Sequence, residues 1–174
     1  GQLLSTRPDA IPSDIANTLK SLQDDLPPFS TNQAIILIEK EIDSSIDDIF
    51  SNFDKEPIAA ASIAQVYSAN LADGGDPIAI KVVRPGIRKV IERDISLMKR
   101  LARYIEKKSN DARRLQLLKL VLEYEAVILT ELNMKVEASN IKQTKRNFAN
   151  NNLLYVPEAY IDLTSENILV MERI

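Results

Sequence analysis

The chain contains no cysteine and no histidine among its 174 residues. It therefore cannot form disulfide bonds, a thiol nucleophile, a Cys/His zinc site or an imidazole acid–base group. Tryptophan is also absent and aromatic residues make up only 5% of the chain, which leaves little surface for stacking nucleic-acid bases. Any chemistry depends on carboxylates, lysines, tyrosines and hydroxyl groups.

An excess of positive charge is also missing, since 22 Lys and Arg stand against 25 Asp and Glu, a net charge of −3. Nucleic acid is for this reason not an expected partner. No stretch reaches the roughly 18 consecutive apolar residues of a membrane span, and Gly1-Gln2-Leu3-Leu4 has neither the basic start nor the apolar run of a signal peptide. The chain begins at Gly1 and stops at Ile174 in a strand-like segment, so we expect a fragment of a longer protein.

The first 56 residues are predicted to form short helices. Pro12 suits the first turn of a helix, and Ser30 or Thr31 can cap a second one. Apolar residues recur at helical spacing behind both starts: Ile15, Leu19 and Leu22, then Ala34, Ile35, Ile38 and Ile42. A shorter third piece carries Ile46, Ile49 and Phe50, and residues 54–57 form a break. Residues 1–56 are therefore predicted to be a helical N-terminal extension.

The apolar pattern changes to strands after residue 57. Residues 63–71 and 77–83 are joined by Asp73-Gly74-Gly75-Asp76, and a Gly-Gly pair between such runs is typical of a β-hairpin. In the second run Ile80 and Val82 alternate with Lys81, which places Lys81 on the opposite face of the strand.

Two long helices and further strands complete the pattern. Helical spacing predicts one helix over about 87–108, and a second from a cap at Asp111 to about Asn147. Short apolar runs at 153–156, 159–163 and 168–171 are predicted strands. The fold class is α+β, an antiparallel sheet with long helices on one face.

The most informative residue is Lys81, in the sequence Ala79-Ile80-Lys81. A lysine in mid-strand is costly to desolvate unless it is paired, and in protein kinases V-A-I-K supplies a lysine that binds nucleotide phosphates and pairs with a helix glutamate. An exposed lysine on an edge strand is the alternative. Where kinases have a Gly-rich loop, this chain has Ala59-Ala60-Ala61-Ser62, a stiffer segment that either covers a phosphate or merely packs tightly.

These residues together resemble the UbiB family of atypical protein-kinase-like proteins, called the ADCK group in animals. The resemblance is carried by the run from Ala59 to Tyr67, AAASIAQVY, by Ile80 to Gly86, IKVVRPG, and by Gly1-Gln2, which is similar to the end of the family's K-x-G-Q motif. Tyr124-Glu125, Glu131-Leu132-Asn133, the run from Glu137 to Asn140 (EASN), that from Tyr155 to Glu158 (YVPE) and Met171-Glu172-Arg173-Ile174 continue it.

The resemblance implies a two-lobed kinase-like fold with ATP or ADP and Mg²⁺ bound between the lobes. Residues 57–174 would be the N-terminal lobe, and residues 1–56 the family's extension. The metal-binding and catalytic residues would lie beyond Ile174, so we expect no catalysis from this chain alone.

The same resemblance implies roles for individual residues. Lys81 would contact the nucleotide phosphates, with Glu137 as the first candidate for its partner and Glu131 as the second. Six residues correspond to about 240° around one helix, so both could not point the same way; both could also be ordinary solvated residues. Asn133 stands where the family's E-x-D motif has Asp. The remaining positions are Ala59, Ala60, Ala61 and Ser62 over the nucleotide, Glu172 and Ile174 near the hinge that meets adenine, and Gln2 and Gln65 as motif residues.

For the whole protein the resemblance implies support of ubiquinone biosynthesis, at the cytoplasmic side of a bacterial inner membrane. Quinone-precursor lipids and ubiquinone-biosynthesis enzymes would be partners. The alternative is a non-catalytic lipid-binding or scaffold module that uses nucleotide as a conformational switch. One run could contact anionic lipid headgroups or could be an ordinary solvated face: Lys99, Arg100, Arg103, Lys107, Lys108, Arg113 and Arg114.

Overall fold

The computed structural model describes residues 29–109, 113–151 and 153–174. The helices are α1 (Thr31–Ile42), α2 (Ile46–Ile49), α3 (Ile87–Lys108), α4 (Leu117–Glu131) and α5 (Met134–Asn147), with a short 3₁₀ helix at Ile161–Leu163. The strands are β1 (Phe50–Ser51), β2 (Ala59–Ala60), β3 (Ala64–Leu71), β4 (Pro77–Val83) and β5 (Ile168–Glu172). The helix predicted around Ile15, the cap at Asp111 and the motif residue Gln2 lie outside the described residues.

The strands form one antiparallel sheet in the order β1-β3-β4-β5, with β2 also paired to β3. The predicted hairpin is confirmed as β3 and β4, with Tyr67 opposite Ile80. Its turn uses Gly75 at φ 68°, a left-handed conformation that glycine adopts without a steric penalty. Because β4 lies between β3 and β5, its side chains are at the centre of the sheet.

Alternation along the strands gives the sheet two apolar faces. Ile78, Ile80 and Val82 pack with Tyr67 and with Ile38 of α1. On the other face, the buried side chains belong to the sheet and to the region around α5: Val83, Leu169, Leu132, Met134 and Ala138. The prediction of long helices on one face is confirmed, and α1 covers the opposite face.

Helix α1 follows its sequence signals closely. The Ser30 side chain accepts a hydrogen bond from the Gln33 N–H at 3.4 Å, so Ser30 is the N-cap. Ala34 and Ile38 are fully buried against the sheet. The third predicted helical piece is shorter than expected, because Phe50 already begins β1 and pairs with Leu71. The boundary predicted at 56/57 stays a prediction.

The single long helix predicted up to Asn147 is wrong, because the chain breaks between α4 and α5. The Asn133 side chain accepts a hydrogen bond from the Lys135 N–H at 3.0 Å and caps a new helix. The Met134 N–H donates to the Glu166 carbonyl at 3.1 Å, outside either helix. These two hydrogen bonds and the burial of Leu132 turn the chain between α4 and α5. The apolar spacing of the sequence runs on through this point and does not reveal the turn.

Two of the three strands predicted near the end are also wrong. Leu153, Leu154 and Tyr155 are exposed, and residues 153–156 belong to no strand. Ala159 makes only an isolated bridge to Met171, and the 3₁₀ helix follows it. Pro157 lacks the N–H that a sheet ladder needs, which fits the missing pairing. Among the described residues of this region, Ile168–Glu172 is the one strand that forms.

Candidate functional site

Lys81 lies in the middle of β4, opposite Val66 on β3 and Leu169 on β5. Its neighbours Ile80 and Val82 are fully buried on the other face of the sheet, as the alternation predicts. An edge-strand lysine is excluded, since β4 has a partner strand on each side. The Lys81 ammonium is thus held at the centre of the sheet, on the face of α5.

The ammonium of Lys81 is paired with the Glu137 carboxylate. Its Nζ lies 2.9 Å from Glu137 Oε1 and 2.7 Å from Oε2, with side-chain exposures of 25% and 35%. Glu137 lies in the first turn of α5, where the helix dipole favours a carboxylate. The Lys81 ammonium has three N–H donors, and the two carboxylate oxygens of Glu137 accept from two of them. One donor is therefore left for a ligand.

An open cavity of about 330 Å³ adjoins this ion pair. That volume is at the lower end of the range of small-molecule sites. Glu131 and Glu137 both line it, although they were not expected to point the same way. The expectation assumed one helix, whereas Glu131 ends α4 and Glu137 begins α5. The full lining is Ile63, Lys81, Thr130, Glu131, Val136, Glu137 and Asn140.

Four lining residues were not among the predicted site residues: Ile63, Thr130, Val136 and Asn140. A signal for one was present, because Asn140 follows Glu137 by three positions and therefore shares its helix face. Thr130 and Val136 lie on either side of the α4–α5 break, so their convergence depends on a turn that the spacing does not reveal. Ile63 comes from the turn before β3.

The Ala-rich segment lies beside the site but does not line the cavity. Ala59 and Ala60 form β2, opposite Val66 and Gln65, and the Ala61 N–H donates to the Ala64 carbonyl at 2.8 Å. Arg84 Nε donates to the Ser62 carbonyl at 3.3 Å. Residues 59–62 are all exposed, so tight packing does not explain them.

Gln65 is on the sheet face opposite Lys81, because it is directly across from Val82. It is fully buried, and its amide lies 2.8 Å from the Tyr67 hydroxyl. In the amide orientation that satisfies all partners, its nitrogen donates to that hydroxyl, and its oxygen accepts from the Phe29 N–H at 2.8 Å. Burial raises the pKa of the Tyr67 hydroxyl, which stays protonated. Gln65 therefore holds the backbone of Phe29, just before α1, and does not line the cavity.

Glu172 and Ile174 are not brought to the cavity. Glu172 is opposite Ile78 at the end of β5, and its carboxylate accepts from the Tyr155 hydroxyl and from the Glu158 N–H. The bond from Tyr155, followed by that from the backbone, lowers the pKa of Glu172 below its ordinary value. Lys145 of α5 binds Glu158 at 2.6 Å, so this cluster joins the end of β5 to the end of α5. Ile174 is exposed.

Residues 21–174 match the ABC1 atypical kinase-like domain. The chain belongs to the ABC1 family. Over all 174 residues it is 48% identical to a protein of Cellvibrio japonicus and 47% identical to one of Azotobacter vinelandii, both described as "Probable protein kinase UbiB". It spans about a third of the length of these curated relatives, 31% and 32%. The ABC1 assignment agrees with the resemblance drawn from the Ala59–Tyr67 and Ile80–Gly86 motifs.

A solved structure supports the same fold. The whole chain matches 43% of Rv3197 from Mycobacterium tuberculosis, solved in complex with erythromycin, with a TM-score of 0.73 and 24% sequence identity. At this identity the similarity concerns the kinase-like fold only. Within the described residues of this ABC1 chain, no helix is both long enough and apolar enough to cross a bilayer.

Proposed function

We propose that the cavity beside Lys81 binds the phosphates of ATP or ADP, and that the intact protein is a UbiB-like kinase or ATPase. The observation that carries the proposal is the Lys81–Glu137 ion pair, with Nζ 2.7 Å from Oε2. A strand lysine paired with a helix glutamate is the arrangement that kinases use to position phosphates. Membership of the ABC1 family adds support.

The charge of the cavity points to a role for Mg²⁺. Two carboxylates, Glu131 and Glu137, face one ammonium, that of Lys81, so a polyanionic nucleotide would meet a net negative wall. A divalent cation bound to the phosphates would remove this repulsion. No group of three or more potential metal-ligating side chains occurs in the described residues. The family resemblance implies that the Mg²⁺ ligands lie in the part of the protein beyond Ile174, and the proposal adopts this expectation.

Residues beside the cavity have supporting roles in this proposal. The residues that would border the nucleotide are Ala59, Ala60, Ala61 and Ser62. The next residue, Ile63, lines the cavity. Glu172 and Ile174 would contribute backbone groups at the hinge, since the Glu172 carboxylate already has two hydrogen-bond donors. Asn133 would act by capping the helix that carries Glu137.

The wider role proposed for the intact protein is support of ubiquinone biosynthesis at the cytoplasmic side of a bacterial inner membrane. Quinone-precursor lipids and ubiquinone-biosynthesis enzymes are the proposed partners. The relatives' description as UbiB and their bacterial sources support this proposal. The chemistry would be phosphoryl transfer or ATP hydrolysis, for which Lys81 and Glu137 supply positioning.

Binding of a fluorescent ADP analogue with Mg²⁺ to the full-length protein tests the nucleotide proposal. Lys81→Met is expected to weaken binding about 10- to 100-fold, since a hydrogen bond to a charged group contributes roughly 1.5–3 kcal/mol. The matched control is Lys142→Met, an exposed lysine on α5, which should bind normally. Normal binding by Lys81→Met would remove the proposed role of Lys81.

The scaffold alternative predicts a different pattern in the same protein. Nucleotide would bind in a Lys81-dependent way, but no γ-phosphate would be released or transferred under any condition tested. Turnover that depends on Lys81 would instead support the enzyme.

A further inference from the structure

A short turn just before β5, residues 165–167, connects strand β4 to helix α5. The Val83 N–H at the end of β4 donates to the Asn167 carbonyl at 2.8 Å. The Met134 N–H, in the first residue of α5, donates to the neighbouring Glu166 carbonyl at 3.1 Å. Two adjacent carbonyl groups of one turn therefore bind the strand and the helix. We call residues 165–167 the connecting turn.

The two elements that this turn joins carry the ion pair of the candidate site. Lys81 lies two residues before Val83 on β4, and Glu137 lies three residues after Met134 on α5, which is less than one helical turn. The connecting turn thus sets the position of the start of α5 relative to β4, close to both charged side chains. A shift of the turn would change the distance between the ammonium and the carboxylate, which is 2.7 Å at its shortest.

Hydrogen bonds within the connecting turn leave it little freedom to deform. The Ser165 hydroxyl oxygen accepts from the Asn167 N–H at 3.1 Å and from the Ile168 N–H at 3.3 Å. The Ser165 N–H donates to the Ile168 carbonyl at 2.9 Å. Serine side chains commonly stabilise turns in this way. Because the turn is fixed internally, a displacement of Asn167 also moves the adjacent Glu166 carbonyl that binds α5.

Helix α1, on the opposite face of the sheet from α5, also contacts the connecting turn. The Asn167 side-chain amide donates to Glu41 Oε1 at 2.8 Å, between residues 126 positions apart in the sequence. Both residues are half-buried, and a carboxylate acceptor makes this hydrogen bond stronger than one between neutral groups. Helix α1 is itself held on the sheet, since Ala34 and Ile38 are fully buried. Glu41 therefore provides a fixed acceptor for the turn.

We infer that Asn167 and Glu41 are positioning residues of the candidate site. Their hydrogen bond holds the connecting turn where the Glu166 carbonyl binds the start of α5, and this placement of α5 directs Glu137 towards Lys81. The inference deepens the proposed function and rests on it where nucleotide affinity is measured. The competing explanation is a purely structural bond, which would change the free energy of unfolding without changing the site.

Four variants of the full-length protein test this inference. Asn167→Asp removes the donor and brings two carboxylates together, and Glu41→Ala removes the acceptor. Glu41→Gln is the conservative variant, because it keeps an acceptor oxygen. Glu41→Gln combined with Asn167→Asp restores the bond in the reverse direction, from the glutamine amide to the aspartate carboxylate. The control is Ser30→Ala, which removes the N-cap of α1 at the opposite end of that helix from Glu41.

Two measurements are made on each variant: the affinity for a fluorescent ADP analogue with Mg²⁺, and the hydrogen exchange of residues 132–140 in the nucleotide-free protein. Asn167→Asp and Glu41→Ala are expected to bind the analogue about fivefold more weakly, the factor that corresponds to the loss of one ordinary hydrogen bond. Their residues 132–140 should exchange faster, because the Met134 N–H loses protection. Glu41→Gln, the double variant and Ser30→Ala should match the wild type in both measurements.

Unchanged affinity and exchange in Asn167→Asp, with only a lower free energy of unfolding, would make the bond purely structural and overturn the inference. A double variant as impaired as Asn167→Asp would also overturn it, since the lost hydrogen bond would then not be the cause. If the wild-type protein did not bind the analogue, the nucleotide proposal would fail, and hydrogen exchange in the nucleotide-free protein would still decide the inference. Circular dichroism confirms that each variant is folded.

Discussion

Lys81 combines a half-buried position on the sheet with a carboxylate partner, and the surroundings of the pair determine what it contributes. Burying an ammonium alone is unfavourable, whereas Glu137 meets it with both carboxylate oxygens. Both side chains remain partly exposed, so solvent screening reduces the strength of the pair. Its main effect is to fix the direction of the ammonium rather than to stabilise the fold.

A double-mutant cycle measures this pair directly. Lys81→Met and Glu137→Gln are expected to show a coupling of about 1 kcal/mol in the free energy of unfolding, since the pair is more protected than a surface ion pair. Urea denaturation of the two single variants and the double variant provides the value. The matched cycle uses Glu131→Gln, which shares the cavity but forms no ion pair with Lys81 within 4.0 Å in the described region; its coupling should be near zero. Equal couplings in the two cycles would contradict the assignment of Glu137 as the partner.

The Glu172 carboxyl is expected to titrate below its ordinary value of 4.5. A depressed folded-state pKa means that Glu172 contributes stability above the unfolded pKa and that this contribution is lost as the pH falls through the folded pKa. Tyr155→Phe removes the largest cause, so the pKa of Glu172 should return toward 4.5. Carbon-detected NMR titration measures it, with Tyr104→Phe as the control. An unchanged titration in Tyr155→Phe would show that the hydroxyl does not set this pKa.

At the scale of elements, the turn between α4 and α5 forms the cavity. It brings Glu131 and Glu137 to one cavity from two helices. Sequence spacing did not predict it, because Leu129, Leu132 and Val136 preserve helical spacing across the break. Asparagine has only a moderate penalty inside a helix, so Asn133 alone did not outweigh the continuous apolar spacing.

Asn133→Ala is expected to destabilise the protein by about 1 kcal/mol, the typical loss for an N-cap side chain. Asn133→Asp should retain the stability, because Asp caps equally well and suits the helix dipole. Chemical denaturation of both variants provides the comparison. Equal free energies of unfolding for the Ala and Asp variants would show that the hydrogen bond from the Lys135 N–H does not measurably stabilise the protein.

At the scale of the whole molecule, α1 and the sheet form one core. Ile38 is fully buried beside Ile78 and Ile80. The Asn167 amide near β5 also donates to Glu41 of α1 at 2.8 Å. The extension thus supports the back of the strand that carries Lys81.

Ile38→Ala is expected to cost about 2–5 kcal/mol in the free energy of unfolding, the usual range for a large buried aliphatic residue. Ile36→Ala, on the exposed side of the same helix, should change it by less than about 0.5 kcal/mol. Thermal unfolding followed by circular dichroism and tyrosine fluorescence tests both. A separate early transition of α1 would contradict a common core.

The sequence by itself determined the elements whose periodicity is unambiguous. The alternation around Lys81, the Gly-Gly turn and the helix over residues 87–108 are all present, and of the two predicted caps Ser30 is the one used. The motifs around Ala59 and Lys81 also led to the family. The tertiary structure decided where the chain turns and which residues meet. Bonds such as Met134 N–H to the Glu166 carbonyl join residues far apart along the chain, and local spacing contains no information about such partners.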